Sequence, residues 1–197
     1  MMFYEVAKNN HGLPLDPFYA LVGPRPIGWI STLSKDGTAN LAPYSFYNAF
    51  AHNPHYVAFG SGGLKNTLQN ISETGQFAVN LATFGLREAM NMTSSNTDRD
   101  EFILAGLEKA KCNLIAPPRV AASPVCLECL HFQSIELPND QGVVADWLVI
   151  GKVIGIHIED RFIENGRVNT AAMKPIARLG YAEYATVETA WRMRRPE

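Results

Sequence analysis

The chain has 197 residues, 47% of them hydrophobic and 18% charged, with a formal net charge of −2. That balance belongs to a folded globular protein and excludes an intrinsically disordered one, and no apolar run approaches the roughly 20 residues of a helical membrane span. A net charge so near zero argues against nucleic acid as the main partner, because neutralising phosphates takes a basic face.

The first ten residues, MMFYEVAKNN, lack the basic-then-apolar order of a secretory signal. Pro14, Pro17 and Pro24 follow, and residues 1–24 are expected to wrap the core. Ile27 to Leu33 is apolar nearly throughout and predicts a strand. Asp36-Gly37 carries the hairpin signal, because Gly supplies the positive φ of a tight turn. Ala39 to Phe46 then returns as the paired strand. Pro43 interrupts it and donates no ladder hydrogen bond, so this strand is an edge or is bulged. Asn53-Pro54 marks a turn, and His55 to Phe59 is a third strand.

From Leu64 the period changes. Leu64, Leu68 and Ile71 fall on one face of a helix, and Gly75 stops it. Gln76 to Leu81 is a short strand, and Leu86 to Met92 a helix that ends in the polar MTSSNTDRDE loop. Phe102 to Lys111 is amphipathic, with Gly106 inside it. Val125 to Leu137 and Trp147 to Glu159 are long strands around a Pro138–Gly142 turn. The second is apolar on both faces, as for a strand buried in a barrel or at a subunit contact. Arg161 to Ala172 holds a short strand and an Asn-Gly-Arg turn. The closing WRMRR run reads as a solvated helix end. No linker-like tract or internal repeat divides the chain, so one domain over 1–197 is expected. Strands dominate without βαβ alternation, which predicts a mainly β fold, a barrel with short helices.

Six groups of residues could carry chemistry. Gly60-Ser61-Gly62-Gly63-Leu64-Lys65-Asn66-Thr67 resembles a nucleotide phosphate loop but fails it, with Leu64 in place of the last Gly and Asn66 in place of the hydroxyl. An anion could still sit at the helix start beside Lys65; the bland alternative is an ordinary capped helix after a Gly loop. In Asn40 to Asn48, small residues and Pro43 would let a flat ring lie against the main chain, with Ser45 and Asn48 adding hydrogen bonds. An irregular edge strand is the bland reading there. Ser31 and Thr32 point to opposite faces of their strand, so only one can meet a given ligand. Cys126 and Cys129 also point apart on a strand, and no second pair completes a zinc site, so no metal site is expected. With Cys112 they make three cysteines and no disulfide framework, which suits a reducing, cytoplasmic location. His52 and His55 flank a turn and suit surface roles. His157 lies on the strand taken as doubly buried, on the face shared by Gly151 and Gly155. It reads as a satisfied core histidine or, more sharply, as a proton donor near a ligand ring.

Several segments, in this order, resemble the flavin reductase-like family of FMN-binding split barrels: PRPIGWIST (24–32), DGTANLAPYSFYN (36–48), KNT (65–67), TGQFAVNL (74–81), DEF (100–102), LVIGKVIGIHI (148–158) and ARLGY (177–181). The resemblance implies a six-stranded split β-barrel, a homodimer and FMN near the subunit interface. It also implies transfer of electrons from NADH or NADPH to flavin, with a monooxygenase or other redox protein as partner. Ser31 and Thr32 would lie near the phosphate or ribityl chain, and Lys65, Asn66 and Thr67 would hold the phosphate. Ala42, Pro43, Tyr44, Ser45 and Asn48 would face the isoalloxazine ring, and Arg178 to Gly180 would reach the flavin, from the same or the other subunit. One departure stands out. Where many short-chain reductases carry Gly-Asp-His, linked to nicotinamide binding, this chain has Ala145-Asp146-Trp147. An FMN-holding electron carrier without efficient NAD(P)H oxidation is therefore the alternative.

Overall fold

Residues 25–44 establish the pattern of the molecule. Gly28–Leu33 (β1) pairs antiparallel with Ala39–Tyr44 (β2). The turn between them closes through Ser34 N–H to Thr38 O and Gly37 N–H to Ser34 O, with Gly37 at φ +88°. In the computed structural model, which describes residues 1–95, 97 and 99–196, five more strands join this hairpin. They are Tyr47–His52 (β3), His55–Gly62 (β4), Gln76–Leu81 (β5), Val125–Pro138 (β6) and Val144–Ile158 (β7). The seven strands lie in the order β2-β1-β5-β6-β7-β4-β3, and every neighbouring pair is antiparallel.

The two edges of this sheet, β2 and β3, are joined by Ser45 and Phe46 alone. Three Cα steps reach about 11 Å at most, so the sheet must curl until its edges meet. Gly60 N–H donates to Phe46 O at 2.7 Å, which carries the β3–β4 ladder on into the link. Gly28 faces the Tyr47 ring so closely that a Cβ there would lie 2.7 Å from Tyr47 Cγ, which only glycine permits. The fold is mainly β with short helices, a split barrel. Its principal sheet has seven strands where six were expected, because Tyr47–His52 is a strand. Its apolar alternation is broken by a bulge between Ala49 and Ala51, which hides the period.

Two cores result. Inside the barrel, Ile30, Val57, Phe59, Phe77, Cys129 and Val149 pack with Leu68 and Ile71. Outside it, Trp29, Leu41, Met90, Phe102 and Ile176 form a second layer. The helices are Phe18–Leu21 (α1), Asn66–Thr74 (α2), Arg87–Met92 (α3) and Glu101–Leu104 (α4). A small sheet of Ile176–Arg178 (β8), Tyr184–Thr186 (β9) and the pair Arg25–Pro26 ties the C-terminal region to the N-terminal one.

Three expectations need correction. Helix α2 starts at Asn66, not Leu64, and Leu64 is 78% exposed in the Gly loop. The WRMRR run forms no helix. Strand β7 is not buried on both sides within one chain: Val149 is buried, but Ile156 and Ile158 are exposed. A bulge between Val153 and Gly155 shifts its alternation by one residue. Gly151 consequently faces Phe77 inside the barrel, while Gly155 faces Leu114 and Glu128 outside it. The two glycines do not share a face.

Candidate functional site

The seam between β2 and β4 opens into a cavity of about 720 Å³, within the range of small-molecule sites. Its floor is the end of β2 and the seam link, Ala42 to Phe46. Opposite lie Gly60, Gly62 and Gly63 of β4 and the loop after it, then Leu64, Lys65, Asn66 and Thr67 at the start of α2. Thr93, Ser94 and Ser95 after α3, with Thr97 and Glu101, complete the wall.

The α2 end is built for an anion. Its N-cap is Lys65, in extended conformation, and no side chain caps the helix. The first-turn N–H groups and the positive dipole end therefore face the cavity beside an ammonium group. Thr67 is fixed by a hydrogen bond from Asn40 Nδ2 to its Oγ1, 2.8 Å long. Tyr44 is buried, and its phenol oxygen has no hydrogen-bond partner among the described residues. Burial also raises the Tyr44 phenol above its ordinary pKa. A buried hydroxyl without a partner is costly, and the Thr67 and Ser61 hydroxyls lie beside this one.

The β2 end suits a flat group. As a sheet edge it has a strand neighbour on one side only, and Pro43 has no N–H to offer the ladder. Glu101 Oε2 accepts from Leu41 N–H at 2.9 Å, which fixes the carboxyl at the cavity wall. Burial raises the Glu101 carboxyl above its ordinary range, against the lowering effect of that hydrogen bond. The cavity thus fits a ligand with an anion at one end and a polar-edged ring at the other. A second cavity, of about 580 Å³, adjoins the first through Pro43, Ser45 and Ser94. Tyr19, Arg25, Arg178, Tyr181 and Tyr184 line it.

Of the residues singled out from the sequence, Ala42, Pro43, Tyr44, Ser45, Lys65, Asn66 and Thr67 converge on the first cavity. Others go elsewhere. Ser31 and Thr32 do point to opposite faces, but both are fully buried and bonded: Ser31 Oγ donates to Pro118 O, and Thr32 Oγ1 accepts from Asn70 Nδ2. Neither lines the cavity. Asn48 is exposed on β3 and bonds its own neighbour, Ala49 N–H. Arg178 lines the second cavity, where it donates to Tyr184 Oη and to Tyr181 O. Gly180 packs against Ala20, with no room for a Cβ. His157 lies in neither cavity. It borders a separate one with Arg119 and Ser123, at the opposite end of β7 from Asp146, which pairs with Gly62 at the end of β4. Its Nε2 is 2.5 Å from Glu128 Oε1.

The sequence reading missed Thr93, Ser94, Ser95, Thr97 and Glu101. The run of hydroxyl residues directly after α3 was the available signal. Trp29 Nε1 anchors it by donating to Thr93 Oγ1 at 2.9 Å, a contact 64 residues apart in the chain.

The model of the flavin reductase like domain matches residues 23–175. An uncharacterized protein of Bacillus subtilis (strain 168) is 30% identical over 181 residues, 88% of each chain. The nitrilotriacetate monooxygenase component B from Bacillus cereus superposes with a TM-score of 0.87 at 28% identity, over 98% of both chains. The 2-nitrobenzoate 2-nitroreductase of Pseudomonas fluorescens does so with a TM-score of 0.88 at 25% identity, over 99% of this chain and 96% of that one. With the seam cavity, the curled sheet and a family match over most of its length, the chain belongs to the flavin reductase-like domain family.

Proposed function

We propose that the chain binds FMN in the seam cavity and acts as an oxidoreductase of the NAD(P)H-dependent flavin reductase type. Family membership makes it a flavin-binding redox protein; the choice of FMN, the nicotinamide and the residue roles are our reading. The observation that carries it is the convergence of Lys65, Asn66 and Thr67 at an uncapped helix start, across one cavity from the Ala42–Ser45 edge. FMN is a flat ring joined to a phosphate, and the cavity offers matching ends in that order.

In this reading Lys65 and the α2 N–H groups hold the phosphate, and the hydroxyls of Thr67 and Tyr44 bond the chain beside it. The backbone of Ala42 to Ser45 takes the edge of the ring, which, when bound, supplies the electron transfer itself. The adjoining cavity, with Tyr19, Arg178 and Tyr184, receives a second planar substrate against the ring, and Arg178 attracts an anionic one. His157 takes no part, being on another cavity. Residues 1–197 act as one domain. Three unpaired cysteines suit a reducing cytoplasm, and among the described residues no helix is long and apolar enough to cross a membrane.

The apolar outer face of the barrel is proposed to pair two copies into a homodimer, and a monooxygenase component or another redox protein is the proposed electron acceptor. A second functional reading, an FMN-holding carrier, is favoured by Ala145-Asp146-Trp147 in place of the triplet linked to nicotinamide.

The test begins with the visible spectrum of the purified protein, followed by NADH or NADPH without oxygen. A flavin spectrum that bleaches supports the reductase, and one that stays yellow supports the carrier. No flavin, even after FMN is added, removes both readings. Lys65→Ala is expected to weaken FMN about tenfold or more, since a hydrogen bond to a charged group contributes about 1.5–3 kcal/mol. Unchanged affinity would remove the phosphate assignment.

A further inference from the structure

The His157 that the flavin site does not use stands in a second cluster, on the outer face of β6 and β7. There the Cys112 Sγ, a Glu128 carboxylate oxygen and a His157 imidazole nitrogen all lie within 4.8 Å of one another. We propose that Cys112, Glu128 and His157 bind a divalent transition-metal ion of the zinc class.

The local fold assembles these donors firmly. Glu128 on β6 is 1% exposed. Its Oε1 accepts from Asn113 N–H and its Oε2 from Leu114 N–H, both at 2.7 Å. The two peptides after Cys112 are thereby clamped to the carboxylate, which carries the thiol alongside it. Residues 126 and 157 are strand partners, as are 128 and 155, so His157 rises beside Glu128 on the same face. Gly155 matters here, because a Cβ on it would sit 3.3 Å from Leu114 Cδ1 and 3.4 Å from Glu128 Cβ. The glycine leaves the Cys112–Leu114 segment space to lie down on the strands.

The donor set is one sulfur, one nitrogen and one oxygen, the mixture that zinc accepts and that magnesium or calcium does not. One thiolate and one carboxylate neutralise a divalent ion. The backbone N–H groups on Glu128 supply the outer hydrogen bonds that orient a metal-binding carboxylate. Metal binding would replace the contact between His157 Nε2 and Glu128 Oε1. Tetrahedral bonds of about 2.0–2.2 Å put those two atoms about 3.4 Å apart, so the pair opens by roughly 1 Å to admit the ion. His157 is only half-buried, and Cys112 lies in a segment outside any strand, so both can move that far. Three protein donors leave a fourth position. His157 borders a cavity that Arg119 also lines, and Arg119 Nε is buried with no hydrogen-bond partner among the described residues. A guanidinium there favours hydroxide or another anion as the fourth ligand.

The test uses the purified full chain and two ions, zinc and cobalt. Calorimetric titration with zinc should show one site per chain, weakened at least tenfold by Cys112→Ser and by His157→Gln. Both variants should keep the affinity of the unaltered protein for FMN, which shows that they fold. Cobalt added to the unaltered protein should produce a thiolate-to-cobalt charge-transfer band in the difference spectrum, a readout that needs no variant. No zinc binding, zinc affinity in both variants equal to that of the unaltered protein, or a cobalt spectrum without that band would overturn the proposal.

Discussion

Glu101 shows how a single side chain can be committed to the site at a cost to the fold. It is buried, faces the cavity and accepts from Leu41 N–H. Because burial raises its carboxyl in the folded state, the protonated form is favoured by folding. The stability this confers is fully present below the unfolded pKa of about 4.3 and is lost as pH rises through the raised folded value. Glu101→Gln keeps an acceptor for Leu41 and removes the titration. The variant is expected to be at least as stable as the parent at neutral pH, and to lose the parent's decline in stability above about pH 4.3. Urea midpoints measured on both proteins across pH 4 to 8 check this; parallel curves would mean that Glu101 is not the group responsible. Glu101 was invisible as a site residue in the sequence, where it sits in an ordinary helix-start pattern. What places it is the contact with Leu41, 60 residues away.

At the scale of an element, β7 shows which features a sequence can disclose. Its length and apolar content were legible, and so was the presence of something close to Gly151 and Gly155. The bulge between Val153 and Gly155 was not, because register shifts depend on the partner strand and leave no mark on one strand's composition. That single shift sends Gly151 inward and His157 outward, and it is the reason that His157 borders a cavity other than the one at the seam. Helix α2 was legible in its apolar period and its Gly75 stop, since both are local. Its start was misplaced by two residues because Leu64 fits the period without joining the helix. Gly151 gives the quantitative check on this strand. A Cβ there would lie 2.2 Å from Phe77 Cζ, and Phe77 is fully buried with nowhere to retreat. Gly151→Ala should cost about 1–3 kcal/mol, the usual range for overpacking a core, read as a lower urea midpoint. A midpoint within error of the parent would mean that the ring has room to turn.

For the whole molecule, the barrel leaves one face uncovered. Phe132 on β6 is 58% exposed and Phe50 on β3 is 68% exposed, with Ile135 and Leu137 also in solvent. Tyr56 and Phe132 meet ring to ring at 5.1 Å, on the outer side of the strand between them. Apolar surface of this kind marks an interaction site, and a second copy of the chain is its proposed cover. Phe132→Glu places a charge on that face and should shift the protein from dimer to monomer in sedimentation, with its secondary structure unchanged. A parent chain that already sediments as a monomer would remove the dimer. The barrel class and seven of the cavity residues were legible because they lie in continuous segments with recognisable order. The hydroxyl wall was less so, because its place beside the cavity depends on contacts such as Trp29 with Thr93, far apart in the chain.

The two-residue link between β2 and β3 has a consequence for the order in which the protein is made. Every lining residue of the seam cavity precedes residue 102, so a half-synthesised chain already contains the complete set. The two sides of the cavity, however, are held apart at the right width by β6 and β7, which bridge β5 to β4 and end at Ile158. A nascent chain therefore carries all the ligand contacts and no walls until its last quarter emerges. A ligand of this cavity cannot template early folding; it can only fasten a hoop that the final strands have already drawn closed.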